Sequence, residues 1–260
     1  MKAREALRVL AEITESQWGM VTSAQARARG VSHMSLSRLT ESGDLVRLSH
    51  GIYKSAAVPG DEHESLRTAW LAADPKRFAW ERLQERPGSL VVSGESAALL
   101  LGIGDLAALQ NEFTTSSRKQ TQRGGVRYRM RRLPDRDVTI RAGLPVTTVE
   151  RTIADLVEDR AELGHVADAL RDAARQSQLD VGRLVELLSP LAKRNGHAKG
   201  DGRALFDELL VIAGIDAASL SKQIAAVLAD ADPSGALTIV ELLSLSQQAK
   251  KAASRESTSP

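Results

Sequence analysis

The sequence predicts an α+β protein in three parts: a compact helix-and-hairpin unit at the N-terminus, a central small mixed α/β sheet domain and a C-terminal helical region. Three observations predict it. Apolar residues recur at three- and four-residue spacing towards both ends, strict apolar–polar alternation appears near the start and in the middle, and glycine or proline marks the changes of period. The chain has 260 residues, enough to bury a core in one large or a few small domains. Aromatics are only 3% of it, so that core must be aliphatic. With no cysteine there is no disulfide, thiolate metal site or cysteine nucleophile. No apolar run approaches the ~20 residues that span a bilayer. The opening MKAREALRVLAEITE mixes acids with its bases, which argues against a signal peptide and for a cytoplasmic protein.

In the first part, Ala6, Leu7, Leu10 and Ile13 predict an amphipathic helix over 3–15, broken at Trp18, Gly19 and Met20. Thr22 stands three residues before Gln25, a capping-box pattern, and opens a short helix over 23–29 that Gly30 stops. Ser32 caps a second helix over 33–42, ended by Gly43. Leu36 and Leu39 point it to the core and leave His33, Ser35, Ser37 and Arg38 on other faces. Short polar side chains with one arginine suit a helix entering a major groove, because bulkier ones would hold the backbone away. From Asp44 to Lys54 the pattern alternates around a turn at Ser49-His50-Gly51. Helix–turn–helix followed by a β-wing is the expected arrangement, spanning 1–58. Its DNA contacts are expected from Thr22, Gln25, Ser32, His33, Ser35, Ser37 and Arg38, with Arg47, His50 and Lys54 on the wing. The alternative is a small helical core with solvated charges, or a helix–turn–helix used for protein contacts.

Residues 59–87 read as a helical linker. Leu66, Ala69, Trp70 and Ala73 stripe one helix, a second runs to about Glu85, and Pro87-Gly88 marks a boundary. The central part, 88–159, begins SLVVSGESAALLLG: a strand at Leu90–Val92, then a helix ended by Gly102 and Gly104. Glu112–Ser116 can form a strand, and Gly124-Gly125 turns the chain. Val126, Tyr128 and Met130 then alternate with Arg127, Arg129 and Arg131, giving a strand with an apolar face and an arginine face. Val138 and Ile140 continue the alternation, and Thr148 caps a helix carrying Val149, Ile153, Leu156 and Val157. Residues 1–60 hold eight Lys/Arg against five acids and residues 115–141 nine against two, so the rest of this +2 chain is acidic. Two basic segments suggest a polyanionic partner. Arg118, Arg127, Arg129 and Arg131 are therefore candidates for a protein-partner surface or a second DNA contact, the alternative being a solvated sheet face.

The last part, 160–249, is helical: Val166, Ala169, Leu170 and Ala173 within 165–176, a helix over 181–188 closed by Pro190, the polar loop AKRNGHAKGDG, and an apolar helix over 204–213. Residues 250–260 read as a disordered tail. Within this part DADPSGALTIVE matches a calcium-loop template, with Asp230, Asp232, Ser234, Thr238 and Glu241 at ligand positions and Gly235 at the turn. Against a metal site stand Pro233 and the lack of a second loop; a plain helix–helix turn is the other reading. No cofactor is expected. Nor is enzyme chemistry: Gly88-Ser89 lies too far from Asp135-Arg136-Asp137 for a nucleotidyltransferase site, and Pro134-Asp135 lacks the following acid-x-Lys of a metal nuclease. Gly102-Ile103-Gly104 is a weak glycine pair, and the histidines at 33, 50, 63, 165 and 197 have no paired-ligand spacing.

The N-terminal unit, together with VVSGESAALLLGIGDL, EFTTSSRKQTQRGGVRYRMRRL, DVTIRAGLPVTTVERTIADL and GDGRALFDELLVIAG, resembles AbiEi-type antitoxins of bacterial toxin–antitoxin (abortive-infection) systems over about residues 15–215. The resemblance implies a winged helix that binds inverted repeats in its own promoter as a repressor, and a C-terminal antitoxin domain that counters a nucleotidyltransferase toxin. The alternatives are a solitary winged-helix regulator without a toxin, or a protein-interaction or calcium-sensing module; a nuclease is the remaining one. No membrane partner is expected.

Overall fold

The structure is a computed structural model that describes residues 2–85, 90–119, 124–176 and 179–215. It is a mixed α+β fold with two sheets, and the chain divides into two compact units: residues 1–101 with 107–148, and residues 102–106 with 149 onward.

The first unit opens with α1 (Ala3–Thr14), β1 (Met20–Thr22), α2 (Ser23–Ala28), α3 (His33–Glu41) and the hairpin β2 (Leu45–Ser49) and β3 (Ile52–Ser55). The caps act as their sequence predicts. Thr22 Oγ1 accepts from Gln25 N at 3.0 Å while Gln25 Oε1 accepts from Thr22 N at 2.9 Å, closing the capping box. Ser32 Oγ accepts from Ser35 N and starts α3. Gly30, Gly43 and Gly51 all take positive φ, where a Cβ is strained. Ala6, Leu10, Ile13, Val31, Leu36, Leu39, Leu45 and Tyr53 share one core. Strand β1 was not expected. It pairs antiparallel with β3, giving the order β1-β3-β2, and so extends the hairpin into a three-stranded sheet with β3 at its centre, consistent with a winged helix. Three residues are too few to display a period, so only pairing defines this strand.

The unit continues with α4 (Glu64–Ala73), α5 (Ala79–Gln84), β4 (Val91–Val92), α6 (Gly94–Leu101), β5 (Asn111–Thr115), β6 (Val126–Met130), β7 (Val138–Arg141) and β8 (Leu144–Thr147). The second sheet has the order β6-β5-β4-β8-β7, with β4 parallel to β8, β5 parallel to β6 and the other pairs antiparallel. The turn expected at Gly124-Gly125 is present and leads into β6, which runs parallel to β5. The true hairpin is β7–β8. Ala142 and Gly143 join the paired Arg141 and Leu144 with φ of 48° and 79°, the signature of a type I′ turn. Strand β8 was not expected either. All its residues are buried, so it lacks the half-exposed alternation that reveals a strand.

The helix-and-hairpin part is not a separate bead within its unit. Gln17 and Gln25 face each other in a buried amide pair, with Nε2 to Oε1 distances of 2.9 and 3.2 Å. Gln17 Oε1 accepts from Ala79 N, Gln25 Nε2 donates to the Arg77 carbonyl, and Thr22 Oγ1 donates to the Pro75 carbonyl. Trp18 meets Trp70 edge-on at 6.1 Å, the Arg67 guanidinium stacks 5.2 Å over Trp18, and Arg67 Nη2 reaches the Ala142 carbonyl at 3.2 Å. Buried Arg82 lies 3.3 Å over Trp70 and donates to its carbonyl at 2.7 Å; burial lowers its guanidinium pKa to about 10.

The second unit comprises α7 (Val149–Glu158), α8 (Leu163–Arg175), α9 (Val181–Leu188), a 3-10 stretch over Ser189–Asn195 and α10 (Gly202–Ala213). Pro190 occupies the start of the 3-10 stretch, where its missing N–H costs nothing, so the chain tightens there instead of entering a loop. Gly104 packs against Ala169 and donates to Asp172 Oδ2 at 2.9 Å, which fastens the 102–106 segment to α8. Arg151 and Asp155 form an ion pair at 2.7 Å on the buried side of α7.

Candidate nucleic-acid interface

Helix α3 presents a clear division. Leu36 and Leu39 are buried, and Ser32, His33, Met34 and Arg38 are exposed. At about 100° per residue, His33, Met34, Ser37, Arg38 and Glu41 form one continuous stripe opposite the two leucines. All three serines expected there already have partners. Ser32 and Ser35 hydroxyls sit 3.0 Å apart, both engaged at the N-cap, and Ser37 Oγ donates to Glu41 Oε1 at 3.0 Å. Arg38 Nη2 lies 3.6 Å from the Met34 sulfur, one helical turn away. Met34 is not among the residues expected there, although its position off the Leu36–Leu39 stripe and four residues before Arg38 marks it in the sequence.

On the wing, Val46, Arg47 and His50 are exposed. Arg47 Nη2 approaches His50 Nδ1 at 3.3 Å.

Three residues expected at the interface lie elsewhere. Thr22 and Gln25 are fully buried, and their side chains are used up by the capping box and by the Pro75, Arg77 and Gln17 contacts. Lys54 is buried and pairs with Glu64 of α4. The alternation that placed Lys54 outside was sound for an isolated hairpin. Here β3 is the central strand, covered on the Lys54 side by α4, so the amine meets a carboxylate instead of solvent. Next to it Asp61 pairs with Arg67. Burial raises the Asp61 carboxyl pKa, but the Arg67 hydrogen bond and charge and the His63 N–H outweigh it, and the net shift is downward.

The arginine strand β6 is the edge of the five-stranded sheet. Tyr128 leans on Phe113 with ring centroids 6.1 Å apart, as the apolar face requires. Met130, on the same face by alternation, is nonetheless exposed. Arg127 pairs with Glu112 at 2.7 Å, and the second oxygen of Glu112 accepts from Glu95 N at the start of α6. Arg129 lines a small crevice with Ser93, Phe113 and Arg127, and Arg118 is exposed in the segment after β5. The arginine face is thus partly integrated into the fold. Among the described residues no group of three or more His, Cys, Asp or Glu is placed to hold a metal ion. The calcium-loop candidate Asp230, Asp232, Ser234, Thr238 and Glu241 lies outside the described residues, as does Gly88-Ser89. No helix among the described residues is long and apolar enough to cross a membrane.

A search of the curated proteins finds no match to the chain. Among solved structures, the crystal structure of the RV2827C protein from Mycobacterium tuberculosis is similar with a TM-score of 0.50 and 18% identity, over 85% of this chain and 80% of that one. At that identity the likeness concerns the fold. The span that contains α3 and the wing, residues 8–55, matches the model of a family described as "Transcriptional regulator, AbiEi antitoxin", in agreement with the resemblance in the sequence.

Proposed function

We propose that this protein is an antitoxin-type transcriptional regulator that represses its own promoter and counters a nucleotidyltransferase toxin, acting by binding rather than by catalysis. The family match over residues 8–55 carries this reading, and the exposed stripe of α3 next to an exposed wing supports it. In the reading, α3 enters the major groove at each half of an inverted repeat, with His33, Ser37 and Arg38 facing bases or phosphates and Arg47 and His50 reaching the backbone or minor groove. Phosphate contacts supply much of the affinity and make it salt-dependent. The toxin is assigned to the sheet and the helical part, with Arg118, Arg127, Arg129 and Arg131 as the first surface to test.

A titration tests the regulator half. Binding to the DNA upstream of the protein's own gene is compared with binding to an unrelated fragment at two salt concentrations. Selective binding that weakens with salt is expected; equal binding to both fragments would reduce the helix-and-hairpin part to a protein-contact module. Co-expression with the neighbouring gene tests the antitoxin half. Relief of growth arrest is expected, and arrest that persists leaves a solitary regulator.

A further inference from the structure

Met34 is the one large apolar residue on the exposed stripe of α3, and it is 64% exposed. It stands in the first turn, the part of such a helix that reaches base edges. Its sulfur lies 3.6 Å from Arg38 Nη2, so the thioether accepts from one edge of the guanidinium and helps to orient the rest of the fork. Nothing on α3 needs Met34 for packing, since Leu36 and Leu39 already face the core. A flexible, polarizable apolar side chain beside an arginine fork fits a particular piece of DNA chemistry. In the major groove the only apolar group offered by any unmodified base is the thymine C5-methyl, and the group best matched to an arginine fork is the O6/N7 edge of guanine.

We infer that Met34 and Arg38 act as one reader of a thymine methyl adjacent to a guanine, with Met34 covering the methyl while Arg38 bonds to the guanine. The inference rests on the DNA-binding reading above and names what α3 reads. Because Met34 is exposed and lies off the buried Leu36–Leu39 face, Met34→Ala keeps the fold, which circular dichroism checks.

The test uses the full chain and one DNA fragment, the region upstream of its own gene, prepared once with thymine and once with uracil in its place. Uracil removes the methyl and leaves the base-pairing edge unchanged. The unrelated fragment, made in both forms, serves as control. Wild-type protein is expected to bind the thymine form of the upstream fragment more tightly, by about three- to fivefold for each half-site occupied, the effect of burying one methyl-sized group. In Met34→Ala that preference is expected to disappear. Selective binding with no thymine preference, or a preference that persists in Met34→Ala, overturns the inference and leaves the regulator intact. Binding no tighter than to the unrelated fragment in either form overturns both.

Discussion

Arg38 and Lys54 are both basic residues of the N-terminal part, yet their surroundings give them opposite roles. Arg38 stands free on α3 apart from the Met34 sulfur and is available to a partner. Arg38→Ala is expected to weaken operator binding by about 1–3 kcal/mol with no change in melting temperature; an unchanged gel-shift titration at fixed salt would end that assignment. Lys54 is enclosed against Glu64. Lys54→Ala is expected to lower stability by about 1–3 kcal/mol, because removing one partner strands a carboxylate in a half-buried place. Affinity for DNA, measured on the folded fraction, should hardly move. The neighbouring Asp61 adds a pH dependence. Its carboxyl pKa lies below the ordinary 3.8 in the folded protein, so the unfolded chain binds the proton more readily between the two values. The stabilisation from Asp61 is therefore full above pH 3.8 and is lost as pH falls through the folded value. In Asp61→Asn the melting temperature should fall less steeply over that range, although the partial exposure of Asp61 keeps the effect small.

At the scale of elements, the N-terminal part is held by a polar network as much as by its apolar core. The Gln17–Gln25 pair satisfies the Ala79 N–H and holds the Arg77 carbonyl. Gln17→Leu leaves the Ala79 N–H and part of the Gln25 amide buried without partners. Denaturant unfolding should show a loss of about 2–4 kcal/mol, whereas a loss below 1 kcal/mol would mean that water replaces the amide. The same network explains why a capping box gave α2 its correct start but the wrong role for its residues. Spacing reveals that Thr22 and Gln25 bond to each other's backbone. It does not reveal that the α4–α5 connection closes over them.

At the scale of the whole molecule, the helix-and-hairpin part and the five-stranded sheet belong to one compact unit, while the helices from Val149 onward form another. This changes how the arginine strand is tested. Replacing Arg127 by glutamate sets a second carboxylate against Glu112, which also caps the start of α6, so that variant should lose stability whatever its partner. Arg129→Gln with Arg131→Gln removes charge without building repulsion. This pair is expected to lose toxin neutralisation in co-expression while DNA binding, measured on the folded fraction, stays close to wild type. Retained neutralisation would move the toxin contact elsewhere.

The sequence by itself determined the local elements whose cause is local. The start of α3 at Ser32, the end of α2 at Gly30, the wing with its turn and the helices over 149–213 all follow from caps, glycines and periodicity within a few residues. Only the tertiary structure decided β1 and β8, because a three-residue strand and a fully buried one show no period and exist through their partners. It also decided which polar residues are available to a ligand. Thr22, Gln25 and Lys54 have the composition of an interface, but burial turned them inward, and Met34 has the composition of a core residue yet stands outside. Side-chain chemistry is written in the chain, whereas exposure depends on what packs over it from fifty residues away, as Pro75 and Arg77 do over Thr22 and Gln25.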